Sequence, residues 1–217
     1  MSDERPSDFL DLYDFRLKVA AMYARRDTAL RAGENPADVA HSFRAGRDAL
    51  FAGHPQSAID MVQRRHFQGL RYYEFDPEAV VRAEMDSDVE PRRIEMGTSG
   101  AEAMPMQYVA ELFFSYGGLD CRLALYWIDV YGGGLFLPFR DLTAPAGTYG
   151  GGRYLVDTVK GSTFEALRMD AAGQEVILDF NYAYNPSCAY NPRWSCPLAP
   201  RENHLPVAIA AGEQTFP

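Results

Sequence analysis

The chain has 217 residues, 47% apolar and 13% aromatic, with 30 carboxylates against 21 Lys and Arg for a net charge of −9. That composition excludes a disordered chain, and a chain of this length buries enough surface to fold without a disulfide or metal staple. The negative balance argues against a nucleic-acid groove or an anionic membrane surface as the main partner.

Residues 7 to 32 read as a helix, with Phe9, Tyr13, Leu17, Ala20 and Ala24 recurring at helical spacing. Asn35-Pro36 supplies an N-cap followed by proline at the first helical position. A second helix follows with Val39, Phe43, Leu50 and Phe51 on one face, and Gly53 closes it. From Leu70 the pattern changes to short β-rich runs: 70–75, 79–85, 92–96, 108–115, 119–128, 135–139, 153–158 and 175–180. Turn chemistry separates them, including Gly97-Thr98-Ser99-Gly100, Gly132-Gly133-Gly134 and Ala172-Gly173. Many short strands at this spacing predict an α+β protein: a mainly antiparallel β barrel or sandwich preceded by two N-terminal helices. The segment from Tyr184 to Pro206 holds five prolines and reads as an ordered strap leading into a closing strand, 205–210. The expected organisation is one globular unit, a helical region 1–55 packed on a β-rich domain 56–217.

The start, Met1-Ser2-Asp3-Glu4-Arg5-Pro6, is polar and acidic, unlike a signal peptide. Apolar runs such as Leu135–Phe139 fall far short of the ~20 residues that a membrane helix needs. Three unevenly spaced cysteines make no secreted disulfide framework. A soluble, cytoplasmic protein is the expectation, without nucleic-acid or membrane partner. Nothing in the sequence requires a cofactor, which stays unknown, and the oligomeric state is open, a homodimer included.

The last third carries family-specific motifs. They are Leu135-Phe136-Leu137-Pro138-Phe139-Arg140-Asp141, Gly147-Thr148-Tyr149-Gly150-Gly151-Gly152-Arg153-Tyr154-Leu155, Leu178-Asp179-Phe180-Asn181-Tyr182-Ala183-Tyr184-Asn185-Pro186, Ser195-Cys196-Pro197-Leu198-Ala199-Pro200-Arg201-Glu202-Asn203 and Ala211-Gly212-Glu213. In these the chain resembles the domain-of-unknown-function 1684 family of bacterial and archaeal proteins, over about residues 41 to 213. The resemblance implies a short form, two helices standing where longer relatives carry an extra N-terminal β-domain. It implies no activity.

Each motif has a functional and a structural reading. Phe139-Arg140-Asp141 ends an apolar strand with adjacent opposite charges, which face opposite sides of the strand. Arg140 reads either as a fork for a carboxylate or phosphate, or as part of a structural ion pair with Asp179 or Glu202. The glycine loop before Arg153 either presents backbone N–H groups to an anion, with Tyr149 as a phenolic donor, or is ordinary hairpin chemistry. Asp179, Asn181 and Ala183 share one strand face by alternation, so Asp179 and Asn181 either position a water or substrate hydroxyl or hydrogen-bond the strap.

Cys188 and Cys196 bracket a short loop and read as buried thiols, a disulfide, weak zinc ligands with His204, or a nucleophilic Cys with a base such as His204 or Glu202. No metal site is expected. Glu202 sits on a Pro-stiffened segment, placed for acid–base work or a salt bridge to Arg140 or Arg153. The nine carboxylates from Glu74 to Glu102 read as a solvated face. Two classes of function follow. In the first, Asp179, Glu202 and Cys188 are the catalytic candidates and Arg140, Asp141, Tyr149, Arg153, Asn181 and Tyr184 bind a small, anionic ligand, with hydrolysis or proton transfer as the chemistry. In the second, these charged motifs lock the strap of a non-catalytic module.

Overall fold

The computed structural model describes residues 5–163, 167–170 and 173–217. Helix α1 spans Pro6–Arg31, α2 Pro36–Gly53 and α3 Met61–His66. Asn35 caps α2 as its sequence predicts, its side-chain oxygen accepting from Ala37 N at 2.9 Å and Asp38 N at 3.4 Å. The short α3 escapes a periodicity search, yet it carries a reciprocal cap: Asp60 Oδ1 accepts from Val62 N and Gln63 N, and Gln63 Oε1 accepts from Asp60 N.

The face of α1 differs from the expected one. Phe9, Tyr13 and Leu17 are 50% or more exposed, whereas Val19, Met22, Tyr23 and Arg26 are buried. Apolar side chains occur all around this helix, so spacing alone does not single out the inward stripe. The face is chosen by α2, whose Phe43 packs edge-on against Tyr23.

The strands are β1 Val80–Asp86, β2 Arg92–Met96, β3 Met104–Tyr116, β4 Leu119–Ile128, β5 Leu135–Phe139, β6 Arg153–Asp157, β7 Leu167–Asp170 and β8 Gly173–Asp179. They form one eight-stranded antiparallel sheet in the order β6-β5-β4-β3-β1-β8-β7, with β2 added beside the first half of β3. The path does not join β6 to β7, so the sheet is an open half-barrel. The expected Ala172-Gly173 turn lies partly outside the described residues, as does the polar start 1–4.

A register shift between Tyr108 and Ala110 against β4 organises the interior. Two β3 residues there oppose one on β4, which flips the facing of the strand. Met106 and Tyr108 therefore pack with Tyr126, Ile128, Phe136 and Tyr154. Beyond the bulge, Ala110, Leu112 and Phe114 pack instead with Cys121, Leu123 and Leu125. The carboxylates from Glu74 to Glu102 are exposed apart from the partly buried Asp76.

Two expected strands are absent. Residues 70–75 form only an isolated bridge, Tyr72 to Glu213, and 205–210 form no strand. Both runs have strand-like composition, but a ladder also needs a neighbouring strand edge to pair with, and 70–75 meets the 212–214 segment through single backbone bonds. The strap nonetheless packs as core: Leu205, Val207, Ile209 and Ala211 are buried with Leu137, Phe139 and Phe180.

Candidate functional site

Arg153 opens β6 and is 1% exposed. Its Nη1 donates to the carbonyls of Ala211 and Glu213, and its Nη2 to Ile209 O at 3.0 Å and Asp141 Oδ2 at 3.4 Å. The same Asp141 oxygen accepts from Ile209 N at 2.6 Å, while Oδ1 accepts from Thr143 Oγ1 at 2.8 Å. One buried pair thus satisfies the backbone of the irregular 209–213 segment. Burial lowers the Arg153 pKa, and the Asp141 charge opposes that shift.

Arg140 and Asp141 have different partners, as alternation requires. The ion pairs expected for Arg140 are not made. Its guanidinium donates to Gly150 O at 3.0 Å and Ala144 O at 3.4 Å, because the glycine loop folds back over it. Glu202 likewise pairs with neither Arg140 nor Arg153 but with Arg92 of β2 at 2.8 Å, and it accepts from the Tyr126 hydroxyl. Asn203 dictates this. It accepts from Ala124 N and donates to Ala124 O and Pro138 O, seating the turn on β4 and β5 with Glu202 directed toward β2. Partial burial of Glu202 works to raise its pKa, but the bonds from Tyr126 and Arg92 outweigh it and leave the carboxyl below its ordinary value.

The face-sharing predicted for Asp179, Asn181 and Ala183 does not occur, since Phe180–Tyr182 is a 3-10 turn where strand alternation lapses. Asp179 Oδ1 caps that turn by accepting from Asn181 N and Nδ2, both at 2.9 Å. Asn181 then exchanges two bonds with the backbone of Asp76. In the glycine loop, Gly147 N and Thr148 N both donate to Thr143 O, and Gly152 N to Tyr149 O. Tyr149 Oη lies 3.5 Å from Cys188 Sγ. All three cysteines are free, and among the described residues no group of three or more His, Cys, Asp or Glu could hold a metal ion.

Elsewhere in the molecule, a cleft of about 610 Å³ runs between α1, α2, the turn Thr158–Lys160 and the strap. Phe9, Leu12, Phe15, Leu50 and Trp194 are among its apolar walls. Among the described residues four cations line it, Arg16, Arg47, Lys160 and Arg193, against the single carboxylate Asp8. Of the residues singled out for chemistry in the sequence, Tyr184 and Cys196 line it, the Tyr184 hydroxyl 2.9 Å from Ser162 Oγ. Tyr23 also lines the cleft, its hydroxyl buried beside Ser162.

Behind the cleft stands Glu213, 1% exposed, which motif reading passes over although it ends Ala211-Gly212-Glu213. Gly212 has φ +75°, and a Cβ there would meet the carbonyls of Ala183 and Phe180. Only glycine lets the chain turn this close to the sheet and deliver Glu213 to Arg47. Arg47 Nε and Nη2 donate to Oε1 at 3.0 and 2.5 Å, while Oε2 accepts from Asn185 N at 2.8 Å and from the Tyr190 hydroxyl. Burial opposes the Arg47 charge, but Glu213 overcomes it and the Arg47 pKa stands above its ordinary value.

An open antiparallel half-barrel, two N-terminal helices and a core-forming strap define the class: an α+β protein with a cleft where helices and strap meet. The sequence pattern of the family described as "Protein of unknown function (DUF1684)" matches residues 65–214, and the chain belongs to that family. The match leaves α1 and α2 outside it. The chain is also similar to the solution NMR structure of the uncharacterized protein from gene locus rrnAC0354 of Haloarcula marismortui. The two are 34% identical with a TM-score of 0.59, over 81% of this chain and 91% of that one. No protein of curated function matches the chain. No helix among the described residues is long and apolar enough to cross a membrane.

Proposed function

We propose that the protein is a cytoplasmic, non-catalytic binder of a small amphipathic organic anion, held in the cleft between the helices and the strap. The observation that carries this reading is the convergence of four cations on an apolar cleft that, among the described residues, is lined by one carboxylate. A volume of 610 Å³ suits a small-molecule site. Arg47 is neutralised by Glu213, and Lys160 lies 3.6 Å from Asp157. The exposed Arg16 has no side-chain partner among the described residues, and Arg193 Nη2 donates only to Ser57 O. These two are the groups left to meet an anionic head, with the Tyr23 hydroxyl deeper in. The three free thiols favour a reducing compartment.

Asp141, Arg153, Asp179 and Asn181 we assign to locking the strap and the turn before it, because Asp141 and Arg153 together bond the backbone of 209–213 and Asn181, capped by Asp179, bonds the backbone of Asp76. No acid–base step is assigned to Asp179 or Glu202.

Decanoate, decanol and decylamine test the reading. In a Trp127→Phe background, Trp194 fluorescence should respond to decanoate at least ten times more tightly than to decanol, and the melting temperature should rise with decanoate. Arg16→Glu with Arg193→Glu should abolish the preference. Equal binding of decylamine, or binding of none of the three, sinks the proposal.

A further inference from the structure

Cys188 and Cys196 stand at the two ends of the loop that supplies Tyr190, Arg193, Trp194 and Ser195 to the cleft wall. Cys196 is 3% exposed, its sulfur 3.3 Å from the backbone N of Cys188, and the two side chains are in hydrogen-bond contact. Cys188 is half-buried. Its sulfur also lies 3.5 Å from the Tyr149 hydroxyl. Ser99 fastens the Cys196 end of the loop: its hydroxyl accepts from Cys196 N at 3.1 Å and donates to Trp194 O at 3.3 Å, and its N–H donates to Cys196 O at 2.9 Å. The half-buried Cys188 sulfur is thus met by the Tyr149 hydroxyl and the Cys196 thiol.

We infer that Cys188 and Cys196 form a redox-active dithiol, Cys188 attacking a small hydroperoxide and Cys196 resolving the product to a disulfide. The Cys188 thiolate attacks the terminal oxygen of the peroxide. The S–O bond forms, the O–O bond breaks, and the alkoxide leaves and takes a proton from solvent. The Cys196 thiol then attacks the Cys188 sulfenic acid. The S–S bond forms, and the displaced hydroxyl leaves as water with the Cys196 proton. Two thiols and one hydroperoxide thus give one disulfide, one alcohol and one water.

The surroundings favour this division of labour. The Cys196 hydrogen bond, with that from Tyr149, draws the Cys188 pKa down to about 6 against the opposing effect of burial. Cys196, as the donor to that thiolate and itself buried, is pushed the other way. Lys160 and Tyr154 are the other ionisable groups within electrostatic reach of the pair. Cys121 is 4% exposed in β4, with its thiol raised mainly by burial, and serves as an internal unreactive reference. The inference is independent of the anion-binding reading, because its test needs no ligand.

One equivalent of hydrogen peroxide should reduce the thiols titrated after denaturation from three to one, with Cys188 and Cys196 recovered in one linked peptide. Cys196→Ser should instead accumulate a dimedone-trappable sulfenic acid on Cys188. Cys188→Ser should react no faster than free cysteine. Iodoacetamide alkylation of Cys188 should follow a midpoint near pH 6, running ~10-fold faster than free cysteine at that pH once the weaker nucleophilicity of an acidic thiolate is allowed for. Tyr149→Phe should raise the midpoint. The inference is overturned if all three thiols survive while free cysteine is consumed, or if the midpoint stays at the ordinary thiol value of ~8.5.

Discussion

Arg47 directs both Nε and Nη2 at one oxygen of Glu213, leaving the other oxygen to Tyr190 and the Asn185 amide. The side chains are 12% and 1% exposed, so the pair ties α2 to the end of the strap inside the protein. Burial of both charges makes each dependent on the other.

Glu213→Gln should therefore lower stability by about 3 kcal/mol or more, since Arg47 is left buried without a counter-charge. Adding Arg47→Met should recover part of that loss. Urea denaturation of the two single variants and the double variant gives the coupling. Strictly additive losses would show that the two groups act separately.

Arg153→Ala should be at least as costly, about 3–5 kcal/mol, because it leaves Asp141 charged and strands three strap carbonyls. Arg153→Lys should recover little, lacking the planar fork that reaches several acceptors. Arg140→Ala should cost less than about 1 kcal/mol, since its guanidinium makes only two carbonyl contacts near the surface. The same denaturation series separates them.

The Glu202–Arg92 pair stands largely in solvent, so Glu202→Gln should cost at most about 1 kcal/mol at neutral pH. The folded-state pKa of Glu202 lies below the ordinary value of 4.5. Its contribution is thus complete above 4.5 and fades as the pH falls through the folded value. The stability difference between wild type and Glu202→Gln should be flat near neutrality and shrink in acid. A difference that grows in acid would contradict the assignment.

Gly152 has φ +93°, and a Cβ there would strike the Phe139 carbonyl. Gly152→Ala should cost about 2 kcal/mol or more through strain and displacement of β5. Gly53→Ala, at the last position of α2 with open space around it, should be neutral or slightly stabilising. Thermal unfolding of the two variants side by side checks the contrast.

The strands 119–128 and 135–139 were legible end to end, because alternation and glycine turns are local signals. Residues 205–210 were not, since composition reports that a run is apolar but not whether a strand edge lies beside it. The site shows the same division. Motif density drew attention to Arg140, Arg153, Asp179 and Glu202, whose hydrogen bonds and ion pairs fasten the strap and neighbouring turns to the sheet. The cations of the cleft stand singly at positions 16, 47, 160 and 193, each unremarkable in its own neighbourhood. Glu213 lay in a quoted motif, but a lone carboxylate near a chain end carries no local sign that it will be buried.

By itself the sequence determined the α+β class, the two N-terminal helices with the Asn35 cap of the second, most strand positions and the family, all of which rest on short-range patterning and turn chemistry. Tertiary structure alone decided which face of α1 is covered, which charges are paired, and where a ligand-sized opening lies. Those outcomes depend on side chains brought together from Phe9 to Trp194, and charge pairing and cavity shape are set by proximity in space, which no local pattern encodes.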